Sequence, residues 1–246
     1  MKRRHAPALC LALLLLAAAP PAAHAGFFDD ITRGLGLSGS SGDSLDDSTI
    51  VKGLKEALAT GTTRAVTAVG QRDGYFANAA IKILMPEKIR NVADLLGRFG
   101  FQDQVDDFVL SMNRAAEKAA PKATEYFVSA LREMTFDDAR KILQGGDTSA
   151  TDYFRRKTGD RIYAAFKPVV ASSMQDVGVA RRYKEMMGKV ESIPFAGASV
   201  GGFDLDHYVA SKAVDGLFTM LGEEEKKIRT DPAARGTELL RKVFGR

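Results

Sequence analysis

Helical periodicity is the feature that most constrains this chain, and it is clearest between Val105 and Leu131. In the first half of this stretch the apolar residues recur three or four positions apart, so they form one stripe on a helix: Val105, Phe108, Val109, Met112, Ala116 and Ala119. Pro121 ends or kinks that helix, because proline lacks the N–H that a helix interior needs. The apolar pattern resumes with Ala123, Phe127, Ala130 and Leu131. The stretch therefore predicts a central helical hairpin.

The other patterned segments are also helical. They comprise a long helix from Asp47 or Ser48 through Val69, a helix from Pro86 to Gly100, one with a capping box at Thr135 and Asp138, a short helix with Tyr153 and Phe154, a separate helix from Ile162 to Val170 with a kink at Pro168, one from Val179 to Val190, a long helix capped by Asp204, and a last one after Pro232. The run from Ile81 to Met85 fits either a helix or a short extended piece. Since no alternating strand pattern of useful length is present, we predict an all-α fold, a single multi-helix, bundle-like domain without significant sheet.

Residues 1–25 have the three parts of a secretory signal peptide. A basic start at Lys2, Arg3 and Arg4 precedes an apolar run from Leu11 to Ala19, and Ala23-His24-Ala25 supplies a small-x-small cleavage site. The apolar run is well short of the roughly 20 residues that a transmembrane helix needs. We therefore expect a cleaved signal and an exported protein, not an uncleaved membrane anchor.

Removal of this segment changes the charge and the available chemistry. Its three basic residues leave with no acidic ones, so the formal net charge falls from +4 to +1. Such a small charge argues against nucleic-acid binding, which needs a strongly basic surface. Cys10 is removed as well, and His207 is the one histidine that stays. The exported chain is therefore expected to be free of disulfides.

Residues 26–46 separate the signal peptide from the helical domain at 47–246. Phe27, Phe28, Ile31 and Leu35 form a short amphipathic pattern. Such a segment is expected to dock on the helical domain or to fray. The alternative is a peripheral contact with the membrane, although the basic polar face of interfacial helices is missing. A Gly/Ser-rich linker follows. Gly34 to Gly39 match the G-x-G-x-x-G pattern, but no strand precedes them, so we expect no dinucleotide cofactor.

A polar group beside the central stripe is the candidate binding site. Asn113 and Glu117 lie four residues apart on one side of the helix, and Arg114 is at i,i+3 spacing from Glu117. These side chains lose water on folding and therefore need partners. The group is expected to be either a structural network that fixes helix register or a polar contact inside a ligand pocket.

Catalytic and metal sites are not supported by the remaining residues. Asp204, His207 and Ser211 are the residue types of a hydrolytic triad, but His207 lies opposite Leu205 and Val209, on a solvated helix face. One histidine and no exported cysteine do not make a transition-metal site. We therefore predict no catalytic residue, no metal and no cofactor.

Two charged clusters are expected to be solvated faces. One is the acidic run from Glu223 to Glu225, with ion pairs from Glu223 to Lys227 and from Glu225 to Arg229. The other is the basic group of Arg155, Arg156, Lys157 and Arg161. For the basic group, an anionic lipid or polysaccharide is the alternative partner.

Several separated motifs resemble one protein family. DGYF at Asp73–Phe76, NRAAE at Asn113–Glu117, DGLF at Asp215–Phe218 and the tail EEEKKIRTDP into LLRKVFG are similar to an exported bacterial family described only as a domain of unknown function, number 4197. The resemblance runs from about Ile50 to the C-terminus. It implies an exported helical domain and carries no activity, ligand or catalytic residue.

Together these features predict a periplasmic, non-enzymatic helical domain that binds an envelope protein or an apolar ligand. One alternative is an enzyme of unrecognised type with its polar centre at Asn113, Arg114 and Glu117. The other is a purely structural envelope protein. A continuous exposed groove would favour binding, and a buried cavity with convergent polar groups would favour catalysis.

Overall fold

The computed structural model of the protein describes residues 47–176 and 204–231, together with positions 181, 184, 185 and 188. The α-helices are α1 (Asp47–Gly70), α2 (Glu87–Arg98), α3 (Gln102–Ala119), α4 (Ala123–Glu133), α5 (Phe136–Gln144), α6 (Ser149–Asp176) and α7 (Leu205–Thr230), and a 3-10 turn, Ala120–Lys122, joins α3 to α4. No strand occurs in these described residues, so the predicted all-α class is confirmed.

Helix α7 contacts the other long helices and organises the bundle. It packs against α6, α1 and α3, and α6 packs in turn against α3 and α4. The apolar face predicted for α7 is buried, since Val209, Ala213 and Leu217 are each 0% exposed. As predicted, the helix begins at an Asp204 cap, whose side chain accepts a hydrogen bond from the His207 N–H.

An aromatic cluster joins three helices at the centre. The ring of Phe127 on α4 meets Phe154 on α6 at 5.2 Å and Phe218 on α7 at 5.9 Å, measured between ring centroids. Both pairs are edge-to-face, the arrangement that aromatic quadrupoles favour. This cluster fixes the positions of α4, α6 and α7 relative to one another.

The predicted central hairpin is wrong. The backbone dihedral angles of Ala119, Ala120, Lys122 and Ala123 are right-handed helical, so the chain continues in the same sense and does not reverse. Accordingly α3 packs on α6 and α7, whereas α4 packs on α1 and α6. Pro121 occupies the start of the 3-10 turn, where its missing N–H costs little.

The two helices predicted between 149 and 170 are one continuous helix. Both Gly159 and Pro168 lie inside the 28-residue α6. Relative to alanine, a glycine inside a helix costs about 1 kcal/mol and a proline about 3 kcal/mol. Tyr153, Ile162 and Phe166 are at most 1% exposed, and burial of one such side chain contributes roughly 1.5–3 kcal/mol. Packing of the buried face therefore outweighs the two unfavourable residues.

The start of α5 confirms one prediction and corrects another. Thr135 and Asp138 form the predicted capping box, each accepting from the backbone N–H of the other. The apolar pattern of this helix predicts that Phe136, Ala139 and Ile142 face inward. Ala139 and Ile142 are buried, but Phe136 is 38% exposed, so the prediction is wrong for Phe136. Its ring lies at the solvent-facing end of the helix, under the guanidinium of Arg140 at 4.8 Å.

Several predicted segments lie outside the described residues. These are the signal peptide, the 26–46 segment with Phe27, Phe28, Ile31 and Leu35, most of the helix from Val179 to Val190, and the last helix after Pro232. In the part of the chain that the structure describes, no helix is both long and apolar enough to cross a membrane.

Candidate functional site

Asn113 holds the segment between α1 and α2 against the bundle. It lies on the buried face of α3 and is 0% exposed. Its Oδ1 accepts from the Ile83 N–H at 2.9 Å, and its Nδ2 donates to the Ile83 C=O at 2.8 Å and to the Val109 C=O at 2.8 Å. The amide therefore replaces the peptide group that a neighbouring strand would present to Ile83.

Glu117, one turn further along α3, holds the turn that precedes this segment. Its Oε1 accepts from the backbone N–H groups of Tyr75 at 3.2 Å and Phe76 at 3.3 Å, while its Oε2 accepts from Arg114 at 2.7 Å. The residue is only 4% exposed. A buried carboxylate with three donors is satisfied, which is what makes its burial tolerable.

Arg114 links Glu117 to the tip of the turn. Its second terminal nitrogen donates to Asp73 at 2.6 Å. Burial works to lower the pKa of Arg114, but hydrogen bonds to Glu117 and Asp73 outweigh it and raise that pKa. Asp73 has a φ of +66°, and a Cβ added at the next residue, Gly74, would collide with the backbone carbonyl oxygens of Ala68 and Val69. The DG pair of the DGYF motif therefore makes a turn that Arg114 stabilises.

Tyr75 carries the turn into the core. It is 0% exposed, and its hydroxyl donates to the Ala213 C=O of α7 at 2.6 Å. Burial, with the nearby Glu117 carboxylate, raises the pKa of Tyr75. Its ring lies so close to Gly216 that a Cβ there would collide with it. The DGYF, NRAAE and DGLF motifs thus meet at one place in the fold.

An open cleft of about 580 Å³ lies on the other side of this held segment, between Ala80–Arg90 and α7. Residues 82–86 form neither helix nor turn. Along the segment the side chains alternate: Ile81, Ile83 and Met85 are buried, Lys82 is half-buried and Leu84 is 57% exposed. Alternation of this kind is typical of extended backbone. The open question over Ile81–Met85 is therefore resolved in favour of the extended conformation.

The comparison with protein families agrees with the three motifs. A family model described as a protein of unknown function, DUF4197, matches residues 44–245. The chain belongs to this family. The resemblance expected from the motifs is thereby confirmed. No curated protein and no solved structure matches the chain.

The structure brings the three residues of the predicted binding site together and shows their hydrogen-bond partners. Arg114 pairs with Glu117, and each of the three side chains bonds to the segment from Asp73 to Ile83. Their binding of a ligand stays a prediction. In the structure these three side chains hold one wall of the cleft in place.

Asp204, His207 and Ser211 are not arranged as a triad. The backbone N–H of His207 completes the cap of α7 and lowers the pKa of Asp204. The exposed imidazole bonds through Nδ1 to the Tyr163 hydroxyl at 2.7 Å. No hydrogen bond within the described chain joins His207 to Ser211. Across all residues that the structure describes, no group of three His, Cys, Asp or Glu side chains could hold a metal.

The prediction of a solvated acidic run is wrong for two of its three members. Glu223 is exposed, but Glu224 and Glu225 are only 8% and 6% exposed. The Glu225 carboxylate accepts from the backbone N–H groups of Ala150 at 2.9 Å and Thr151 at 2.8 Å. The predicted pair of Glu225 with Arg229 is present at 2.8 Å, while Lys227 pairs with Glu224 at 2.7 Å and not with Glu223.

A signal for the burial of Glu225 was present in the sequence. Glu225 is four residues after Leu221 and three before Ile228, so it shares the apolar stripe of α7. Three consecutive residues also span roughly 200° of a helix, so a run of three glutamates cannot face solvent together beside such a stripe.

The basic cluster on α6 is a solvated face, as predicted. Arg155, Arg156, Lys157 and Arg161 are all exposed. Arg155 pairs with Asp215 at 3.0 Å and lies over the Phe218 ring at 4.6 Å, and Arg161 lies over the Tyr126 ring at 5.2 Å. These side chains cover aromatic rings at the surface of the bundle.

Proposed function

We propose that this protein is exported to the periplasm and serves there as a non-enzymatic domain that binds another envelope protein, through the cleft between Ala80–Arg90 and α7. The proposal rests on the hydrogen bonds that Asn113 and Glu117 make to the wall of this cleft. The Asn113 amide bonds to both the N–H and the C=O of Ile83. The Glu117 carboxylate accepts from the N–H groups of Tyr75 and Phe76. These bonds fix the wall of the cleft before any partner arrives, and preorganisation of this kind favours binding.

The same bonds weigh against the alternative of an enzyme centred on Asn113, Arg114 and Glu117. Both carboxylate oxygens of Glu117 and both polar atoms of the Asn113 amide already have protein partners. A substrate would have to displace backbone groups that are buried with them. A general base needs to reach a substrate proton, directly or through one water, which this arrangement does not offer.

The cleft suits a protein partner better than a purely apolar ligand. Its walls carry exposed apolar side chains such as Leu84, together with charged ones such as Lys82 and Lys212. It is also open to solvent along its length, whereas sites for small apolar molecules enclose most of the ligand. A mixed, open surface is typical of contacts between proteins.

A photo-crosslinking experiment tests the cleft as a binding surface. Benzoylphenylalanine would replace Leu84, which is 57% exposed at the cleft, or Phe99, which is 55% exposed at the end of α2. After irradiation of intact cells, we expect a discrete adduct from position 84 and none of the same mass from position 99. Equal adducts at both positions, or none at 84, would contradict the proposal and favour a structural envelope protein.

Export has its own test. The signal peptide pattern at residues 1–25 predicts cleavage after Ala25. Intact-mass measurement of the protein from the periplasmic fraction should give a chain that begins at Gly26. A full-length mass in the membrane fraction would favour an uncleaved anchor.

A further inference from the structure

The extended wall of the cleft runs antiparallel to α7. At one end Ile81 lies next to Gly216, where an added Cβ would be 3.1 Å from the Ile81 Cβ. At the other end the Tyr208 hydroxyl donates to the Leu84 C=O at 3.0 Å. Gly216 follows Tyr208 by eight positions on the helix, a distance of about 12 Å along the helix axis. The cleft is therefore an elongated slot with a defined direction.

Positive charge is present at the Ile81 end of this slot and on α7 between its two ends. Lys82 follows Ile81 and lies over the Phe76 ring at 4.0 Å. At the Tyr208 end, burial raises the pKa of the Tyr208 hydroxyl, Arg90 opposes that shift and Glu87 adds to it. Lys212 lies between the two ends on α7 and is exposed. Neither Lys82 nor Lys212 forms an ion pair with any carboxylate in the described residues.

The two acidic residues of the slot already face arginines. Asp215 pairs with Arg155 at 3.0 Å, and Glu87 lies 3.7 Å from Arg90. The charge that is left to attract a partner is therefore the positive charge of Lys82 and Lys212. Complementarity of this kind selects negatively charged partners.

One backbone donor faces the slot without a partner. In extended backbone the N–H and C=O of one residue point to the same edge, and those of the next residue point to the opposite edge. Those of Ile83 face Asn113, and the Leu84 C=O faces Tyr208. The Leu84 N–H is therefore on the α7 side, and it donates to no group in the described part of the chain. It is placed to bond a peptide carbonyl.

Building on the proposed function, we propose that the slot binds an extended, acidic peptide segment of the partner protein. A strand rises about 3.3 Å per residue, so about four residues span the slot, and acidic side chains at alternate positions would share one face. The two carboxylates meet Lys82 and Lys212, and the main chain meets the Leu84 N–H, in a form of strand addition. An anionic lipid fits less well, because its charge is concentrated at one end of the molecule.

Fluorescence anisotropy with labelled decapeptides tests this recognition, using protein purified after expression of the full chain. The probes are alternating Glu-Val, alternating Lys-Val, and a block peptide of five valines followed by five glutamates. We expect the alternating acidic peptide to bind more tightly than both others, with an affinity that falls as salt rises. Equal binding of the Glu-Val and Lys-Val peptides, or equal binding of the block peptide, would overturn the proposal.

Charge-reversal variants place the peptide on the molecule. Lys212→Glu should weaken binding of the Glu-Val peptide about fivefold, and the double variant with Lys82→Glu more than about tenfold. Lys226→Glu, on an exposed position of the same helix outside the slot, is the matched control and should leave the affinity unchanged. Equal losses from Lys212→Glu and Lys226→Glu would show a nonspecific charge effect and would overturn the site.

A final comparison separates this inference from the proposed function. Vesicles containing phosphatidylglycerol serve as the lipid probe. If they bind through Lys212 while the Glu-Val peptide does not bind, the slot is a membrane surface and the inference is wrong. If neither probe binds but position 84 still gives its adduct in cells, the binding function stands and the acidic peptide is wrong.

Discussion

Two buried glutamates on different helices each hold a distant segment of the chain, with hydrogen bonds of different length. Glu117 on α3 and Glu225 on α7 each accept from two consecutive backbone N–H groups of a distant segment, and each pairs with an arginine of its own helix. The segment that Glu117 holds is a turn beside the cleft. The segment that Glu225 holds is the start of α6, whose first N–H groups have no partner inside the helix.

The differences between them concern bond length and the arginine. The N–H···O distances at Glu117 are 3.2 and 3.3 Å, whereas those at Glu225 are 2.9 and 2.8 Å, with a further bond of 2.8 Å from the Thr151 hydroxyl. Arg114 also pairs with Asp73. Arg229 also donates to the Ile142 C=O, which bears no charge, at 2.9 Å. We therefore expect Glu225 to contribute more than Glu117 to the free energy of unfolding, whereas Glu117 shapes the wall of the cleft.

Replacement Glu225→Ala should have the largest effect on stability. It leaves two buried N–H groups of α6 and the Arg229 guanidinium without their carboxylate, and it removes a negative charge from a helix N-terminus. We expect a loss of about 3 kcal/mol in the free energy of unfolding. Urea denaturation followed by circular dichroism measures this loss as a lower midpoint with an unchanged slope.

Glu223→Ala is the matched control for that experiment, because Glu223 is exposed on the same helix. It should change stability by less than about 0.5 kcal/mol. Similar midpoints for the two variants would mean that the acidic run is solvated throughout and that Glu225 does not hold α6.

Glu117→Ala should have a smaller effect, of about 2 kcal/mol, because its N–H bonds are long and Arg114 keeps Asp73 as a partner. Its second effect is local. The amides of Tyr75 and Phe76 lose their acceptor, so hydrogen exchange there should accelerate relative to α6. A Glu117→Ala protein that exchanges uniformly faster, or that loses more stability than Glu225→Ala, would reverse the ranking of the two anchors.

The pair also shows how far sequence reasoning reaches in this chain. Glu117 was predicted to need partners because it borders the stripe of Val109, Met112 and Ala116, and a helical stripe specifies what is buried beside it. Its pair with Arg114 follows from the i,i+3 spacing and is present at 2.7 Å. Its backbone partners could not be predicted, since the turn at Asp73–Phe76 is distant in sequence and is joined to α3 only by tertiary packing. Periodicity therefore identifies a buried polar group but not what it holds.

The errors have physical causes of the same kind. Glu225 was interpreted as a surface residue because neighbouring charges allow local ion pairs, although the positions of Leu221 and Ile228 placed it on the buried stripe. The continuity of α6 through Gly159 and Pro168 could not be predicted from local preferences, because long-range burial of its aromatic face outweighs them. The hairpin at Pro121 failed for a related reason, since proline at the start of a 3-10 turn does not reverse the chain.

Glu224→Ala sharpens the comparison at an intermediate level. This residue is also buried, at 8% exposed, but its partners are the half-exposed side chain of Lys227 at 2.7 Å and Arg64 at 4.0 Å. Because it holds no backbone N–H, we expect a loss of only about 1 kcal/mol, discounted for the exposure of its partners. A loss equal to that of Glu225→Ala in the same urea experiment would show that burial alone, and not the backbone donors, sets the effect.

His207→Ala gives the smallest expected effect and sets the lower limit of the scale. The imidazole is exposed, and its bond to the Tyr163 hydroxyl joins two surface side chains. The cap of α7 uses the backbone N–H of His207, which the substitution keeps. The free energy of unfolding should therefore change by less than about 0.5 kcal/mol. Asp204→Ala removes the capping oxygen itself and should lower the urea midpoint more than His207→Ala does. If His207→Ala lost as much as Asp204→Ala, the Tyr163–His207 pair would join the two glutamates as a third anchor, between α6 and α7.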